Sequence, residues 1–313
     1  MNSTFLKDFS LLKNKKILLL AGGISEEREI AQRSSDGAER ALRNLGLKYK
    51  RLDFNEKNRK DIFTLIRKEK PDVVFLGLHG AFGEDGRIQG GLDIMGIKYA
   101  GSGMLASAVT MDKVITKNIL IEKKLPTPAY YEYTGGELKM KLPVVVKPVD
   151  GGSTLGISIV RKGKDFKKAV KLAKKYCPKV VIEKYIKGRE VTVSVFFGRA
   201  LPIIEIIPKT SFYDYKAKYT KGMSLHILPA KLEKKLTRKI EKLAVDVHNA
   251  LLLKDFSRVD FMIEEKTKIP YILEANSLPG LTGTSLLPEA AKYVGISFEE
   301  MILSMLAGAF RNG

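Results

Sequence analysis

The feature that most constrains the fold of this 313-residue chain is the alternation of strand and helix patterns in its first quarter. Strand patterns at residues 16–21, 48–53 and 72–78 are separated by helical patterns. Such an alternation needs right-handed crossovers and builds a parallel sheet with helices on both faces. Ligands bind such sheets at the carboxyl ends of the strands, which here carry Gly22-Gly23 and His79-Gly80. The sequence therefore predicts a Rossmann-like α/β domain with a ligand crevice at that edge.

A lysine follows another strand pattern, in the stretch VVVKPVDGGSTLG at residues 144–156. The valines before Lys147 are typical of a strand buried on both faces, where an ammonium group is costly unless an anion meets it. The glycines between Asp150 and Gly156 would let backbone N–H groups approach a phosphate closely. The stretch indicates a nucleotide site. The alternative is an ordinary hairpin turn with Lys147 reaching solvent.

Two strand patterns on either side of the polar turn at residues 264–268 predict an antiparallel hairpin. If the hairpin closes symmetrically, Asp260 lies opposite Glu274 and Arg258 lies opposite Asn276, and all four side chains share one face. Carboxylate and amide oxygens suit Mg²⁺, whereas a solvated face with an Arg-Asp pair is the alternative. The opposite face is expected to pack through four apolar residues, Val259, Phe261, Tyr271 and Leu273.

The composition is strongly basic, with 55 lysines and arginines against 35 acidic residues and a net charge of +20. The lysines are scattered among apolar residues of helical patterns, which is typical of solvated helix faces. We therefore expect no nucleic-acid partner, and salt-dependent DNA binding stays open as an alternative. The single cysteine, Cys177, excludes an internal disulfide and fits a reducing compartment. The apolar run at residues 17–21 is too short to span a bilayer, so we expect a cytoplasmic protein without membrane association.

A series of motifs then resembles one family in content and order. They are GGISEERE at 22–29, LHGAFGEDGRIQG at 78–90, GSG at 101–103, MDK at 111–113, VVVKPVDGGSTLG at 144–156, IEKYIKGREVTV at 182–193, FYDYKAKY at 212–219, RVDFM at 258–262 and LEANSLPGLTGTSLLP at 273–288. From about residue 16 to residue 309, the chain resembles the D-alanine:D-alanine ligases, which are ATP-grasp enzymes.

The resemblance implies a fold of mixed α/β and α+β type, in which an ATP-grasp unit follows the N-terminal parallel-sheet (pre-ATP-grasp) domain. The implied domains are a substrate-binding domain at residues 1–110, a central domain at 111–186 and a C-terminal metal-binding domain at 187–313, with ATP between the last two. The implied activity is ATP-dependent joining of two D-alanine molecules through an acyl phosphate, for peptidoglycan precursor synthesis.

The resemblance also implies a nucleotide site, residue by residue. The phosphates would meet Lys113, Lys147 and Lys218. The strand that accepts adenine would be formed by Glu183, Lys184, Tyr185 and Ile186, and the ribose hydroxyls would bind Glu190. Two Mg²⁺ ions, with Mn²⁺ as an alternative, would be held by Asp260, Glu274 and Asn276.

The implied amino-acid site draws on the N-terminal domain and on the loop after the hairpin. Glu27 would bind the ammonium group of the first D-alanine, and His79 would lie on the substrate side of the crevice, with a structural strand-end histidine as the alternative. The tetrahedral oxyanion would be stabilised by Arg258 and the backbone N–H of Gly280. The second D-alanine would contact Ser285 at its carboxylate and Leu286 near its methyl group. We expect His248 to be structural.

Tyr219 bears on the choice of second substrate. It resembles the tyrosine of D-alanine-adding members, linked by hydrogen bonds to Ser153 and Glu27, and so favours an amine nucleophile over D-lactate. The chain departs from the common pattern at Lys216, where an acidic residue is usual, and at Gly283 in the substrate loop. A related ligase for another amino or hydroxy acid and a nucleotide-binding regulator without catalysis stay open. Family members are commonly homodimers, so a homodimer is a further expectation.

Overall fold

The computed structural model describes residues 3–152, 154–208 and 224–311. Its N-terminal sheet is parallel, with the strand order β2-β1-β3-β4. The strands are β1 (Ile17–Gly22), β2 (Tyr49–Phe54), β3 (Val73–Leu78) and β4 (Lys98–Tyr99). The helices are α1 (Ser3–Leu12), α2 (Arg28–Asn44), α3 (Ile62–Glu69) and α4 (Arg87–Ile94), with a 3₁₀ turn at Glu56–Asn58. The predicted alternation and the parallel sheet are confirmed.

The order of the strands places the crevice of this sheet between β1 and β3. Strand β1 connects to β2 on one side, and β3 connects to β4 on the other, so the connections diverge at this point. Every residue of β1 and β3 is buried, as expected for a parallel sheet that is covered on both faces. The carboxyl ends of the two strands bring Gly22-Gly23 next to His79-Gly80.

A central antiparallel sheet has the order β5-β8-β6-β7. Its strands are β5 (Tyr130–Glu132), β6 (Val144–Pro148), β7 (Ser158–Val160) and β8 (Val180–Lys184), and its helices are α5 (Met104–Met111), α6 (Lys113–Glu122) and α7 (Phe166–Ala173), with a 3₁₀ turn at Gly163–Asp165. Val144 and Val146 pack in one core with Phe166 of α7, whereas Val145 and Lys147 line a cavity. The expectation that β6 is buried on both faces is confirmed except at Val145, which is half-buried at the cavity.

The C-terminal sheet is antiparallel, with the order β12-β11-β9-β13-β14 and with β10 paired to β9. Its strands are β9 (Gly188–Phe196), β10 (Arg199–Ala200), β11 (Ile204–Pro208), β12 (Ser224–Ile227), β13 (Phe256–Glu264) and β14 (Pro270–Asn276). Helix α8 (Lys234–Ala250) shares a core with β9 and β13. The predicted register is confirmed, since Arg258 pairs with Asn276 and Asp260 pairs with Glu274.

A β-bulge then shifts the alternation of the hairpin. Immediately after Asp260, Phe261 pairs with Ile272 rather than with Leu273. Because one extra residue reverses the face of the residues beyond it, Ile272 is fully buried in the core and Leu273 lines a cavity. The prediction that Tyr271 and Leu273 pack on the apolar face of the hairpin is therefore wrong.

The last two helices return to the N-terminal sheet. Helices α9 (Leu286–Tyr293) and α10 (Phe298–Arg311) contribute to the same core as β1 and β3, and α10 packs against α1, where Arg311 forms an ion pair with Asp8. Among the described residues, no single helix is long and apolar enough to cross a membrane. Helices α9 and α10 reach that length and hydropathy only when taken together, and the chain bends by 108° between them.

Candidate active site

Two neighbouring cavities lie where the three sheets meet. The larger one, which we call the sheet cavity, has a volume of about 440 Å³ and is bordered by strands of the central and C-terminal sheets. Its volume is typical of pockets that bind ligands of drug size, about 300–1,000 Å³. The predicted nucleotide residues that line it are Lys147, Glu183, Lys184, Tyr185, Ile186 and Glu190, together with the predicted metal ligands Asp260 and Glu274.

The walls of the sheet cavity are largely apolar. Val145 and Ile159 come from the central sheet, Met262 and Leu273 come from the hairpin, and Ile186 follows β8. The predicted adenine-binding strand is shorter than expected, because β8 ends at Lys184, so Tyr185 and Ile186 belong to the connection to β9. A flat apolar group can lie between these walls.

A buried carboxylate at the sheet cavity lies between two lysines. Glu183 lies 2.8 Å from Lys147 Nζ and 3.3 Å from Lys117 Nζ, and all three side chains are buried. Burial would raise the pKa of Glu183, but the charges of the two lysines hold it below its usual range. Burial would lower the pKa of Lys147, and the charge of Glu183, with Glu274 and Glu190 further away, raises it instead. Lys147 therefore stays protonated and faces the cavity.

Lys113, predicted to meet the phosphates, lies beside the glycine loop. Asp112 caps α6 by accepting hydrogen bonds of 2.9 Å from the N–H groups of Val114 and Ile115, and Lys113 is the first residue of that helix. The ammonium group of Lys113 donates to the carbonyl of Gly151 at 2.7 Å and lines neither cavity. In this structure Lys113 holds the glycine loop rather than the cavity wall.

The smaller cavity, which we call the loop cavity, has a volume of about 60 Å³ and lies against the crevice of the N-terminal sheet. Segments from all three parts of the chain line it. Its predicted site residues are Glu27, His79, Arg258, Asp260, Glu274, Asn276, Gly280, Ser285 and Leu286. The structure thus brings residues from the two ends of the chain into one small polar space.

His79 occupies the carboxyl end of β3, where the sequence predicted it, and its side chain is buried. Its Nε2 lies 3.0 Å from Ser34 Oγ, which in turn accepts from the Leu281 N–H, and its Nδ1 lies 3.1 Å from Glu84. Burial would lower the pKa of His79, but the hydrogen bond and charge of Glu84, followed by Glu27, raise it. The sequence interpretation missed Glu84, although it lies five residues after His79 in the same motif.

Glu27 meets the glycine loop of the central sheet. It precedes the first residue of α2, and its N–H donates to Ser25 Oγ at 3.2 Å. A Cβ atom on Gly152 would lie 2.9 Å from Glu27 Oε2, which is closer than real Cβ contacts. A larger residue at position 152 would displace this carboxylate. The loop therefore borders the loop cavity, and Gly152 is among its lining residues.

The segment after the hairpin is organised by Ser285. Its Oγ accepts a hydrogen bond of 2.9 Å from the Thr282 N–H and lies 2.8 Å from Thr282 Oγ1, while its backbone caps α9. A Cβ atom on Gly280 would lie 2.9 Å from Ser285 Oγ, so the two residues are in close contact. Leu286, the first residue of α9, is buried against the cavity. The start of α9 thus borders the loop cavity.

Asp260 and Glu274 line both cavities, so they form the boundary between them. Arg258 binds Asp260 through two hydrogen bonds of 2.9 and 2.8 Å, and Thr192, which the sequence interpretation missed, donates to Asp260 at 2.6 Å. Asn276 Nδ2 lies 3.4 Å from the same carboxylate. The predicted cluster on one face of the hairpin is therefore present, with a fixed orientation of Asp260.

This donor set fits a magnesium ion that shares its ligands with a substrate. Among the described residues, no group of three or more His, Cys, Asp or Glu side chains could enclose a metal ion. Two carboxylates and one amide instead leave several coordination positions for water and phosphate oxygens, which is how Mg²⁺ is usually bound with nucleotides. Glu274 is also close enough to Lys147 to raise its pKa, so the ion would lie near the phosphate-binding ammonium group.

Three predicted site residues, Ser153, Lys218 and Tyr219, lie outside the described residues, as does Lys216. His248, expected to be structural, is buried and lies 2.7 Å from Ser257 Oγ. Lys117 is the most informative residue that the sequence interpretation missed. The sequence does contain a signal for it. Glu183 follows an apolar run just as Lys147 does, and a buried carboxylate needs cationic partners.

Comparison with known proteins matches most of this sequence to one family. Family models described as D-ala D-ala ligase N-terminus and C-terminus match residues 46–102 and 107–307. The D-alanine–D-alanine ligase of Geotalea uraniireducens is 45% identical over 304 residues, which cover 95% of this chain and 96% of that protein. The D-alanine–D-alanine ligase of Carboxydothermus hydrogenoformans is 42% identical over 306 residues, which cover 93% and 97%.

Solved structures agree with the sequence comparison. The crystal structure of D-alanine–D-alanine ligase from Bacillus anthracis complexed with ATP has a TM-score of 0.81 and 31% identity, covering 95% of this chain and 98% of that chain. Another structure of the Bacillus anthracis enzyme has a TM-score of 0.83 and 35% identity over the same shares. The fold is thus that of the ATP-grasp ligases. Since both the sequence and the fold match over almost the full length, the chain belongs to the D-alanine–D-alanine ligase family.

Proposed function

We propose that this chain catalyses the ATP-dependent joining of two D-alanine molecules to D-alanyl-D-alanine, supplying the synthesis of peptidoglycan precursors. The observation that carries the proposal is the shared boundary of the two cavities. Asp260 and Glu274 line both of them, so a phosphoryl group held by ions at this boundary can pass from a nucleotide on one side to a small acid on the other. Family membership supports the same reaction.

The sheet cavity is the proposed nucleotide site. Its volume suits ATP, its apolar walls suit the adenine ring, and Glu190 is available to the ribose hydroxyls. Lys147 and Lys113 would offset phosphate charge, and the contact of Lys113 with Gly151 would keep the glycine loop near the phosphates. Mg²⁺ held by Asp260, Glu274 and Asn276 would neutralise charge on the transferring phosphoryl group. The proposed site holds two Mg²⁺ ions, with Mn²⁺ as an alternative.

The chemistry follows from the poor reactivity of a carboxylate toward an amine. A carboxylate oxygen of the first D-alanine attacks the γ-phosphorus, and the bond from that phosphorus to the ADP oxygen breaks. The resulting acyl phosphate has a leaving group, so the amine of the second D-alanine forms the C–N bond, loses a proton and expels phosphate. Arg258 and the Gly280 N–H both lie at the loop cavity, where they would stabilise the tetrahedral oxyanion.

The loop cavity is the proposed amino-acid site. Glu27 would bind the ammonium group of the first D-alanine, with His79 beside it in the same cavity. Ser285 and the N-terminus of α9 would bind the carboxylate of the second D-alanine, and Leu286 would contact its methyl group. Ser153, Tyr219 and Lys218 stay predictions of the same proposal.

Measuring ADP formation with D-alanine, D-serine and D-lactate, together with identification of the product, tests the proposal directly. We expect ADP formation that depends on D-alanine and yields the dipeptide. ADP formation with D-lactate alone would contradict the preference for an amine, and nucleotide binding without D-alanine-dependent turnover would contradict catalysis. The domain limits at residues 110 and 186, the cytoplasmic location and the homodimer stay predictions.

A further inference from the structure

Lys117 is a buried cation that the proposed reaction does not use. It lies one turn after Lys113 in α6, is only 1% exposed, and lines neither cavity. Its ammonium group lies 3.3 Å from Glu183 Oε1 and donates to Thr127 Oγ1 at 2.7 Å. Because burying an ammonium group is costly, its place in the fold calls for an explanation.

Glu183 divides its two oxygens between two lysines with different positions. Its Oε2 lies 2.8 Å from Lys147 Nζ, at the wall of the sheet cavity, and its Oε1 faces Lys117 behind that wall. Burial lowers the pKa of Lys117 to about 8 even though Glu183 acts to raise it, while the pKa of Lys147 is raised. Lys117 is therefore the weaker partner of Glu183, and Lys147 is the stronger one.

The contacts of Lys117 continue to the strand that carries Glu274. Thr127 Oγ1 accepts from Lys117 and donates to the carbonyl of Ile272 in β14 at 2.9 Å. The Ile272 N–H donates to the carbonyl of Pro126 at 2.8 Å. Both backbone polar groups of Ile272 are therefore hydrogen-bonded to the segment at residues 126–127. A continuous series of polar contacts thus runs from the cavity lysine on the central sheet to a residue two positions before Glu274.

We propose that Lys117 is a positioning residue for nucleotide binding, which ties the Glu183–Lys147 pair of the central sheet to strand β14 of the C-terminal sheet. The inference rests on the proposed nucleotide site. With Lys117 present, the carboxylate of Glu183 interacts with two ammonium groups. It therefore holds Lys147 less strongly, and the ammonium group of Lys147 is available to a phosphate. Without Lys117, Glu183 depends on Lys147 for charge compensation and holds that lysine against itself.

The Lys117→Met variant tests the proposal, because methionine has a similar length and carries no charge. We expect the KM for ATP and the Kd for ADP, measured by calorimetry, to rise about tenfold, as for the loss of one hydrogen bond to a charged group. The KM for D-alanine should stay within about twofold, since Lys117 does not reach the loop cavity. The matched control is Lys123→Met, which removes an exposed lysine just after the same helix and should change none of these constants.

Two further variants separate positioning from a general effect on folding. Lys117→Arg keeps the charge and should restore most of the affinity for ADP. Thr127→Val keeps both lysines and the side-chain shape but removes the hydroxyl that joins Lys117 to the Ile272 carbonyl, and should raise the KM for ATP about threefold. KM and Kd do not depend on the fraction of active protein, so a lower melting temperature does not imitate the result. If Lys117→Met does not fold, Thr127→Val decides.

The proposal is overturned if Lys117→Met, or Thr127→Val in its place, leaves the KM for ATP and the Kd for ADP within about twofold of wild type. It is also overturned if both KM values rise equally, because that result indicates a general structural role. Failure of the proposed function looks different. In that case the wild-type protein forms no ADP in response to D-alanine, and the Kd for ADP still reports on Lys117.

Discussion

The two cavities of this protein are built in different ways. The sheet cavity is bordered by strands whose side chains are placed by hydrogen-bonded ladders, and its walls are mostly apolar. The loop cavity is several times smaller and is assembled from strand ends, a helix start and a glycine-containing segment that are distant in sequence. The first construction offers a large surface for binding, and the second offers a few fixed polar contacts for selecting a small substrate.

The difference assigns separate tasks to residues that lie close together in space. A change in the sheet cavity should alter nucleotide binding, and a change in the loop cavity should alter the use of D-alanine. A change at Asp260 or Glu274, which line both cavities, should lower the rate of the reaction itself, because these carboxylates would hold the metal ions at the transferring phosphoryl group. Four experiments test this division.

The largest effect is expected for the boundary. Glu274→Gln should lower kcat by about 100-fold or more, since it weakens metal-assisted charge stabilisation worth several kcal/mol. The matched control is Glu265→Gln, which removes an exposed carboxylate from the turn of the same hairpin, where it pairs with Lys187. Steady-state ADP formation measures both variants. Near-normal turnover of Glu274→Gln would mean that the two cavities do not meet at the site of reaction.

The next effect compares one carboxylate from each cavity. Glu27→Gln should raise the KM for D-alanine about tenfold or more while leaving the KM for ATP unchanged, because it removes a charge that faces an ammonium group. Glu190→Gln should do the reverse. Glu29→Gln, an exposed carboxylate in the first turn of α2, is the control. If both KM values change in both variants, the cavities are coupled and the division fails.

A pH effect is expected for the loop cavity through His79. Because Glu84 raises the pKa of His79, Glu84→Gln should lower the pH at which the imidazole loses its proton, followed by NMR. A raised pKa stabilises the fold below the unfolded value near 6.5, and that contribution is lost as the pH rises through the folded pKa. The stability difference between wild type and Glu84→Gln should therefore be largest on the acid side of neutrality. An unchanged titration of His79 in Glu84→Gln would show that Glu84 does not raise the pKa of His79.

The smallest effect on activity concerns the apolar wall. Leu273→Ala should raise the KM for ATP by about threefold, because it removes one contact among several. Its neighbour Ile272 is the matched comparison, since the bulge places it in the core. Ile272→Ala should lower the free energy of unfolding by about 2–5 kcal/mol in denaturant titrations, with a small effect on ATP binding. Equal effects on stability would contradict the faces assigned by the bulge.

What could be predicted from the sequence follows the same division. The alternation before residue 80 and the pairing of Asp260 with Glu274 depend on local periodicity, and both are confirmed. The bulge after Asp260 leaves no local signal, because Ile272 and Leu273 are equally apolar.

The missed residues share a different cause. Lys117 and Thr192 act through partners that are distant in sequence, and Glu84 contacts His79 from the turn after β3, so periodicity reveals none of the three. Every charged residue in an apolar run needs a partner of opposite charge. Applied to Glu183, this rule predicts a second buried lysine.

The return of α10 to the N-terminal sheet has a consequence for synthesis on the ribosome. Met301, Ile302 and Leu306 complete a core whose strands are translated first. Nascent chains generally fold from the N-terminus as domains emerge, but here the earliest sheet lacks part of its interior until the final helix has left the exit tunnel. The portion of the chain that is made first is therefore among the last to become fully packed.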